Sequence, residues 1–128
     1  GIGIADVSDV DGITLDELLE IRSVQTVDVI KLDLEGAEIR ALNGALGVIR
    51  RCHPHLLVEV SEKALAAQGG SQSSLLGLLD QEGYSIFAID DATGEPAPLR
   101  SPDIALSGNV VAVHRERLQG LPFLGPVD

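Results

Sequence analysis

Val27-Asp28-Val29-Ile30-Lys31-Leu32-Asp33-Leu34-Glu35-Gly36-Ala37-Glu38 is the stretch whose reading decides the fold. Its first part reads as a strand over Val27–Leu34, because Val27, Val29, Ile30, Leu32 and Leu34 have the β-branched or aliphatic character of a strand inside a sheet. Lys31, Asp33 and Glu35 sit at alternate positions, and the two-residue period of a strand puts them on one face. A strand of a parallel sheet is usually covered on both faces, so charges on one face call for water, partners or a ligand. Gly36 permits a sharp turn, and Glu38 falls in the first turn of a helix, where the dipole favours an anion. Ligands of open α/β sheets gather beyond the carboxyl ends of the strands, which is where Asp33 and Glu35 stand. The same residue types also fit an edge strand with a solvated charged face.

Toward the amino terminus, Thr14 and Glu17 form a capping-box pair at the start of a short helix whose apolar side is Leu15, Leu18, Leu19 and Ile21. Residues 1–12 read as loop, with a short extended piece at Ile2–Val7. Gly1-Ile2-Gly3 is not a dinucleotide fingerprint, since no strand precedes it and the third glycine is missing. Toward the carboxyl terminus, Ile39, Leu42, Leu46 and Ile49 make one apolar stripe, which predicts a single helix from Gly36 to about Arg51. Pro54 ends that helix and restricts His53 to an extended conformation. His55–Val60 is a second strand, and Glu59 is placed on it as Asp33 is on the first. A helical turn over Ser61–Gln68 and a helix capped by Ser73 or Ser74 lead through Gly83 to a third strand, Tyr84–Ile89. A loop with three prolines separates it from a fourth, Asn109–His114, so these two are expected to be antiparallel neighbours. Arg115–Asp128 reads as an irregular coat on the body.

At 128 residues the chain is one domain, and with 45% hydrophobic but only 2% aromatic residues its core is aliphatic. A net charge of −11 excludes a nucleic-acid binder and argues against docking on anionic lipid. No apolar run approaches the roughly 20 residues of a membrane span, and no signal peptide is visible. Cys52 is alone, so no internal disulfide forms, and a cytoplasmic setting is expected. Methionine is absent even at position 1, which reads as a chain processed or cut from a longer protein. His53 and His55 flank Pro54 without zinc-site spacing, so they are read as leading into a strand, and no metal is expected. Asn109 is read as structural.

Several blocks together resemble the carboxyl-terminal half of the FkbM-type S-adenosylmethionine-dependent methyltransferases. They are Thr14–Leu19, Val27–Glu38, Leu42–Ala45, Pro54–Glu59, Gly83-Tyr84 and Asn109–Val113, covering most of residues 14–115. The resemblance implies an α/β fold, a partial Rossmann-like class I methyltransferase sheet. That sheet is mostly parallel with a terminal antiparallel hairpin, and its strands are the fourth to seventh of the full fold. It implies S-adenosylmethionine as cofactor of the full-length parent and a small molecule, or a sugar, methylated on oxygen. It makes Lys31, Asp33 and Glu35 catalytic, with Asp33 also beside the cofactor's sulfonium, and it sets Glu38 and Glu59 toward the substrate. The family's glycine-rich cofactor loop and ribose-binding acid are not found here. Residues 1–128 are thus expected to be one domain, a carboxyl-terminal part that is weak or inactive alone. The reading from another class is a non-catalytic interaction module on a degenerate half-fold. An acidic cation-binding domain is a third, set lower because Lys31 already supplies positive charge. Self-association through the Val27–Leu34 strand edge is expected in either of the first two cases, unless residues 1–13 or the tail cover it.

Overall fold

The computed structural model describes residues 12–90, 92–99 and 108–120. Its elements are α1 (Leu15–Ile21), β1 (Val29–Leu32), α2 (Glu38–Asn43), α3 (Leu46–Cys52), β2 (His55–Glu59), α4 (Glu62–Ala67), α5 (Gln72–Gln81), β3 (Tyr84–Ile89), β4 (Pro96–Pro98) and β5 (Asn109–His114), followed by a 3-10 segment, Arg115–Gly120. The expected extended piece at Ile2–Val7, most of the proline loop and the last eight residues of the tail lie outside the described residues.

The α/β class holds, and the five strands form one sheet in the order β1-β2-β5-β3-β4. β1 and β2 are parallel, with Leu32 beside Val58. β5 is antiparallel to both β2 and β3, and β4 is antiparallel to β3. The expected antiparallel pairing of Tyr84–Ile89 with Asn109–His114 is present, but the expectation of a mostly parallel sheet is not met. The returning strand slots between β2 and β3 rather than adding at the rim, so one described pairing in the sheet is parallel and the others are antiparallel. The strand read as central is shorter than Val27–Leu34 and lies at the edge of the described sheet.

The helices follow local chemistry closely. Thr14 caps α1 by accepting the Glu17 N–H at 3.1 Å. Leu15 and Leu19 pack on the core, whereas Leu18 and Ile21 are exposed, so the apolar side of α1 is narrower than its leucines suggest. The single helix expected after Gly36 is two, interrupted at Gly44-Ala45. α3 lacks a cap of its own. Asp16, on α1, supplies it: its two carboxylate oxygens accept the Gly47 and Val48 N–H groups at 2.8 and 2.9 Å. Ser71, not Ser73 or Ser74, caps α5, and Ser74 returns the bond as the other half of the capping box. Gly83 (φ 91°) follows the end of α5 as expected.

The core is aliphatic and lies between the helices and one face of the sheet. Leu42, Val48, Leu56, Val58, Leu65, Leu75 and Leu79 are buried in one continuous cluster with Tyr84, whose hydroxyl donates to the Pro54 carbonyl at 2.8 Å. On the other face, Phe87 and Val113 are covered by Leu118 of the 3-10 segment, so that part of the tail is a turn of helix. The Arg50 guanidinium forks onto Glu82 at 2.9 and 3.1 Å, tying α3 to the end of α5. No helix among the described residues is long and apolar enough to cross a membrane.

Candidate functional site at the carboxyl ends of β1 and β2

β1 stops at Leu32, and the chain then turns sharply before α2. Two consecutive residues of that turn have left-handed backbones, Glu35 (φ 52°) and Gly36 (φ 102°). Glycine is required at 36 for a second reason: a β-carbon there would stand 2.0 Å from the carbonyl oxygen of Ala64 on α4. The turn is thus wedged against α4. From within it is held by Glu38, which is 1% exposed. Its two carboxylate oxygens accept the N–H groups of Leu34 (2.6 Å) and Gly36 (2.9 Å), so a buried carboxylate is compensated by backbone donors rather than by a cation.

This geometry sorts the expected site residues. Lys31, Asp33 and Glu35 do not share one strand face, because the two-residue period ends at Leu32 and Glu35 belongs to the left-handed turn. Asp33, the first residue past β1, does meet Glu59, the last of β2, as the parallel register of Leu32 with Val58 dictates. The two carboxyl groups are neighbours at that rim. Hydrogen bonding toward Asp33, then the Asp33 charge, partial burial and the nearby Glu38 and Glu35 charges push the Glu59 carboxyl above the usual carboxylate range. Asp33 and Glu35 are exposed and Glu59 is half-buried, so the pair faces a solvent-accessible rim. Glu38 is close enough to be felt by Glu59, yet its own oxygens are occupied inside the turn; a buried carboxylate so engaged is a support for the loop, not a surface that meets substrate.

Lys31 does not join the carboxylates. It is exposed, forms no ion pair among the described residues, and lines a separate cleft of about 630 Å³ with Thr14, Ile30, Leu34, Arg40 and Ala41, along the flank of β1. Asn109 was set aside from sequence but faces Glu59 across the β2–β5 register, exposed at the same rim. Only the sheet order could have placed it there. The burial of Glu38 had a weak local signal, a carboxylate two residues after a turn glycine at the first position of a helix.

Two neighbouring carboxyl groups at a strand-end rim have two capacities. One oxygen is free to take a proton from a hydroxyl, and the net negative charge favours a cation held opposite it. Comparison with known families yields a match over residues 2–86 to a family model described as the methyltransferase FkbM domain. Comparison with curated proteins and with solved structures finds no match.

Proposed function

From the membership of this chain in the FkbM methyltransferase domain family, we propose that the Asp33–Glu59 rim is the acceptor side of a methyl-transfer site. The observation that carries the reading is the meeting of Asp33 and Glu59 at the carboxyl ends of adjacent parallel strands. S-adenosylmethionine, the proposed donor, supplies a methyl group on a cationic sulfonium. A cation suits a rim made of Asp33, Glu35 and Glu59, none of which has a basic partner among the described residues. In-line displacement asks the protein chiefly to align donor and acceptor. Asp33 serves as the base: it accepts the proton of an acceptor hydroxyl as that oxygen takes the methyl group, while the neighbouring Glu59 charge raises the proton affinity of the rim. Glu35 adds negative charge opposite the sulfonium, and Glu38 keeps the turn in place. Lys31, expected among these residues, is proposed instead to meet whatever lies along the β1 flank.

The acceptor class proposed is a small molecule or sugar hydroxyl. β1, β2, β3 and β5 are proposed to be the fourth to seventh strands of the class I fold, in line with the antiparallel pair that closes the chain. Residues 1–128 would then form a carboxyl-terminal part of such a domain, in a cytoplasmic protein. No glycine-rich loop following a strand is found in the sequence, so the 128 residues alone are proposed to bind the donor weakly. Calorimetric titration of S-adenosylmethionine into this chain, and into one extended at its amino terminus, tests this. Tight binding by the extended chain and weak binding by the short one supports the reading; binding by neither removes it.

A non-catalytic interaction module remains the second reading, and one observation favours it. Among the described residues, the exposed large apolar side chains (Ile13, Leu18, Ile21, Val24, Val29 and Leu34) all fall in or next to α1 and β1. A module would keep that surface while tolerating Asp33→Asn without loss of its activity.

A further inference from the structure

β2 and β5 are antiparallel, so the end of the sheet opposite Glu59 carries the start of β2 and the end of β5. There the fold brings His53, which caps α3, to His114, the last residue of β5, and to Glu116 of the 3-10 segment. His53 is not extended, as the following proline led one to expect. It has φ 49° and ψ 50°, a left-handed conformation that a residue before proline rarely adopts and that its surroundings must enforce. Those surroundings are specific. The His53 N–H donates to the Ile49 carbonyl at 3.0 Å, and its own carbonyl accepts from Arg117 Nη1 at 3.1 Å. Its ring lies flat on that of His114, with centroids 3.6 Å apart and planes within 5°, and its Nδ1 is 3.2 Å from Glu116 Oε2.

The His114 ring is fixed from the far side. Tyr84 meets it edge-on at 5.3 Å, and its Nε2 fills the space where a side chain at Gly83 would begin, 2.6 Å from an added β-carbon. Its Nδ1 lies on the side of Glu116 and accepts that residue's N–H at 3.2 Å, a single bond that an ion at Nδ1 would displace.

We propose that His53, His114 and Glu116 bind one divalent transition-metal ion of the Zn²⁺ or Co²⁺ class. Two imidazoles and a carboxylate with a position open to water are a donor set these ions take. One ligand atom from each residue lies within 4.8 Å of the others. A point equidistant from the three is at most about 2.8 Å from each, so ligand bonds of roughly 2.0–2.2 Å need each group to close by less than about 1 Å. Nearby cations are engaged elsewhere, Arg115 with Asp80 and Arg117 with the His53 carbonyl. Parallel rings do not aim their lone pairs at one point, so the His53 ring tilts off His114 when the ion enters, and loss of the stack marks occupancy. The ion would pin the end of α3 and the 3-10 segment to β5. This staple lies away from Asp33 and Glu59 and does not depend on the methyl-transfer reading.

The test is calorimetric titration of Zn²⁺ into the chelator-stripped chain near neutral pH, with melting temperature and the histidine ring resonances followed in parallel. The expected result is one ion per chain, a higher melting temperature, and shifts of the His53 and His114 ring signals without comparable change at His55. Glu116 is 72% exposed in its side chain, so Glu116→Gln leaves the fold intact and, by removing a direct ligand, weakens binding by at least the roughly tenfold that loss of an outer-shell partner costs. His53→Asn, which tolerates the left-handed cap, does the same. Absence of saturable binding would overturn the proposal, as would binding unchanged in both variants or abolished by Cys52→Ser.

Discussion

Glu59 and Asp33 are held together against their own charge, and this has a measurable sign. A carboxyl whose folded pKa is raised adds stability below its unfolded pKa and loses that contribution as pH rises through the folded value. The pair therefore strains the fold at neutral pH, and acid relieves it. Asp33→Asn removes the cause named first, so the variant is predicted to melt at a higher temperature than the parent near neutral pH, with a flatter melting profile on acidification, while methyl transfer falls. An unchanged profile would mean the two groups are not coupled. Gly36 makes the opposite prediction. Its left-handed backbone and the carbonyl of Ala64 leave no room for a methyl group, so Gly36→Ala should lose about 3 kcal/mol in a denaturant titration. Asp33, Gly36 and Glu59 were legible because strand ends and turn glycines have local signatures. The burial of Glu38, the register position of Asn109 and the place of Lys31 on the β1 flank were not legible, because they depend on burial and on sheet order, which residue type does not carry.

Among the elements, the break between α2 and α3 shows where periodicity misleads. Ile39, Leu42, Leu46 and Ile49 continue one apolar stripe across two short helices that both pack on the same core, so the pattern reads as one helix. The N-terminus of α3 is stabilised from Asp16, 31 residues earlier in the chain, a partner no local window contains. Asp16→Ala removes two charge-assisted bonds to that helix start and is predicted to cost about 1–2 kcal/mol, measured as a shift in the urea midpoint at constant slope. The strands Tyr84–Ile89 and Asn109–His114 were read with their observed limits because alternating β-branched and aromatic residues lie between clear turn signals. β4, three residues with two prolines, had no such signal, and an edge strand is where proline is admitted.

For the whole molecule, the sheet order leaves β1 paired on one side only among the described residues, next to the exposed Val29 (61%) and Leu34 (43%). Unpaired strand edges flanked by apolar surface recruit further strands. The 128-residue chain is predicted to sediment as a concentration-dependent dimer or larger species, and Val29→Lys, a change at an exposed side chain, to shift it toward monomer. The parallel β1–β2 pair and the closing antiparallel pair followed from the helix-separated and helix-free connections, whereas the insertion of β5 between β2 and β3 is a long-range choice that connection lengths do not encode.

The most direct test of the account is a chemical-shift titration of this chain with S-adenosylmethionine at millimolar concentration, following backbone amides and the Glu59 carboxyl carbon together. The account predicts shifts confined to the segment around Asp33–Glu38 and to the neighbourhoods of Glu59 and of Asn109, and a fall in the Glu59 titration midpoint as the sulfonium favours its charged form. Shifts centred elsewhere, with the Glu59 midpoint unmoved, would contradict it.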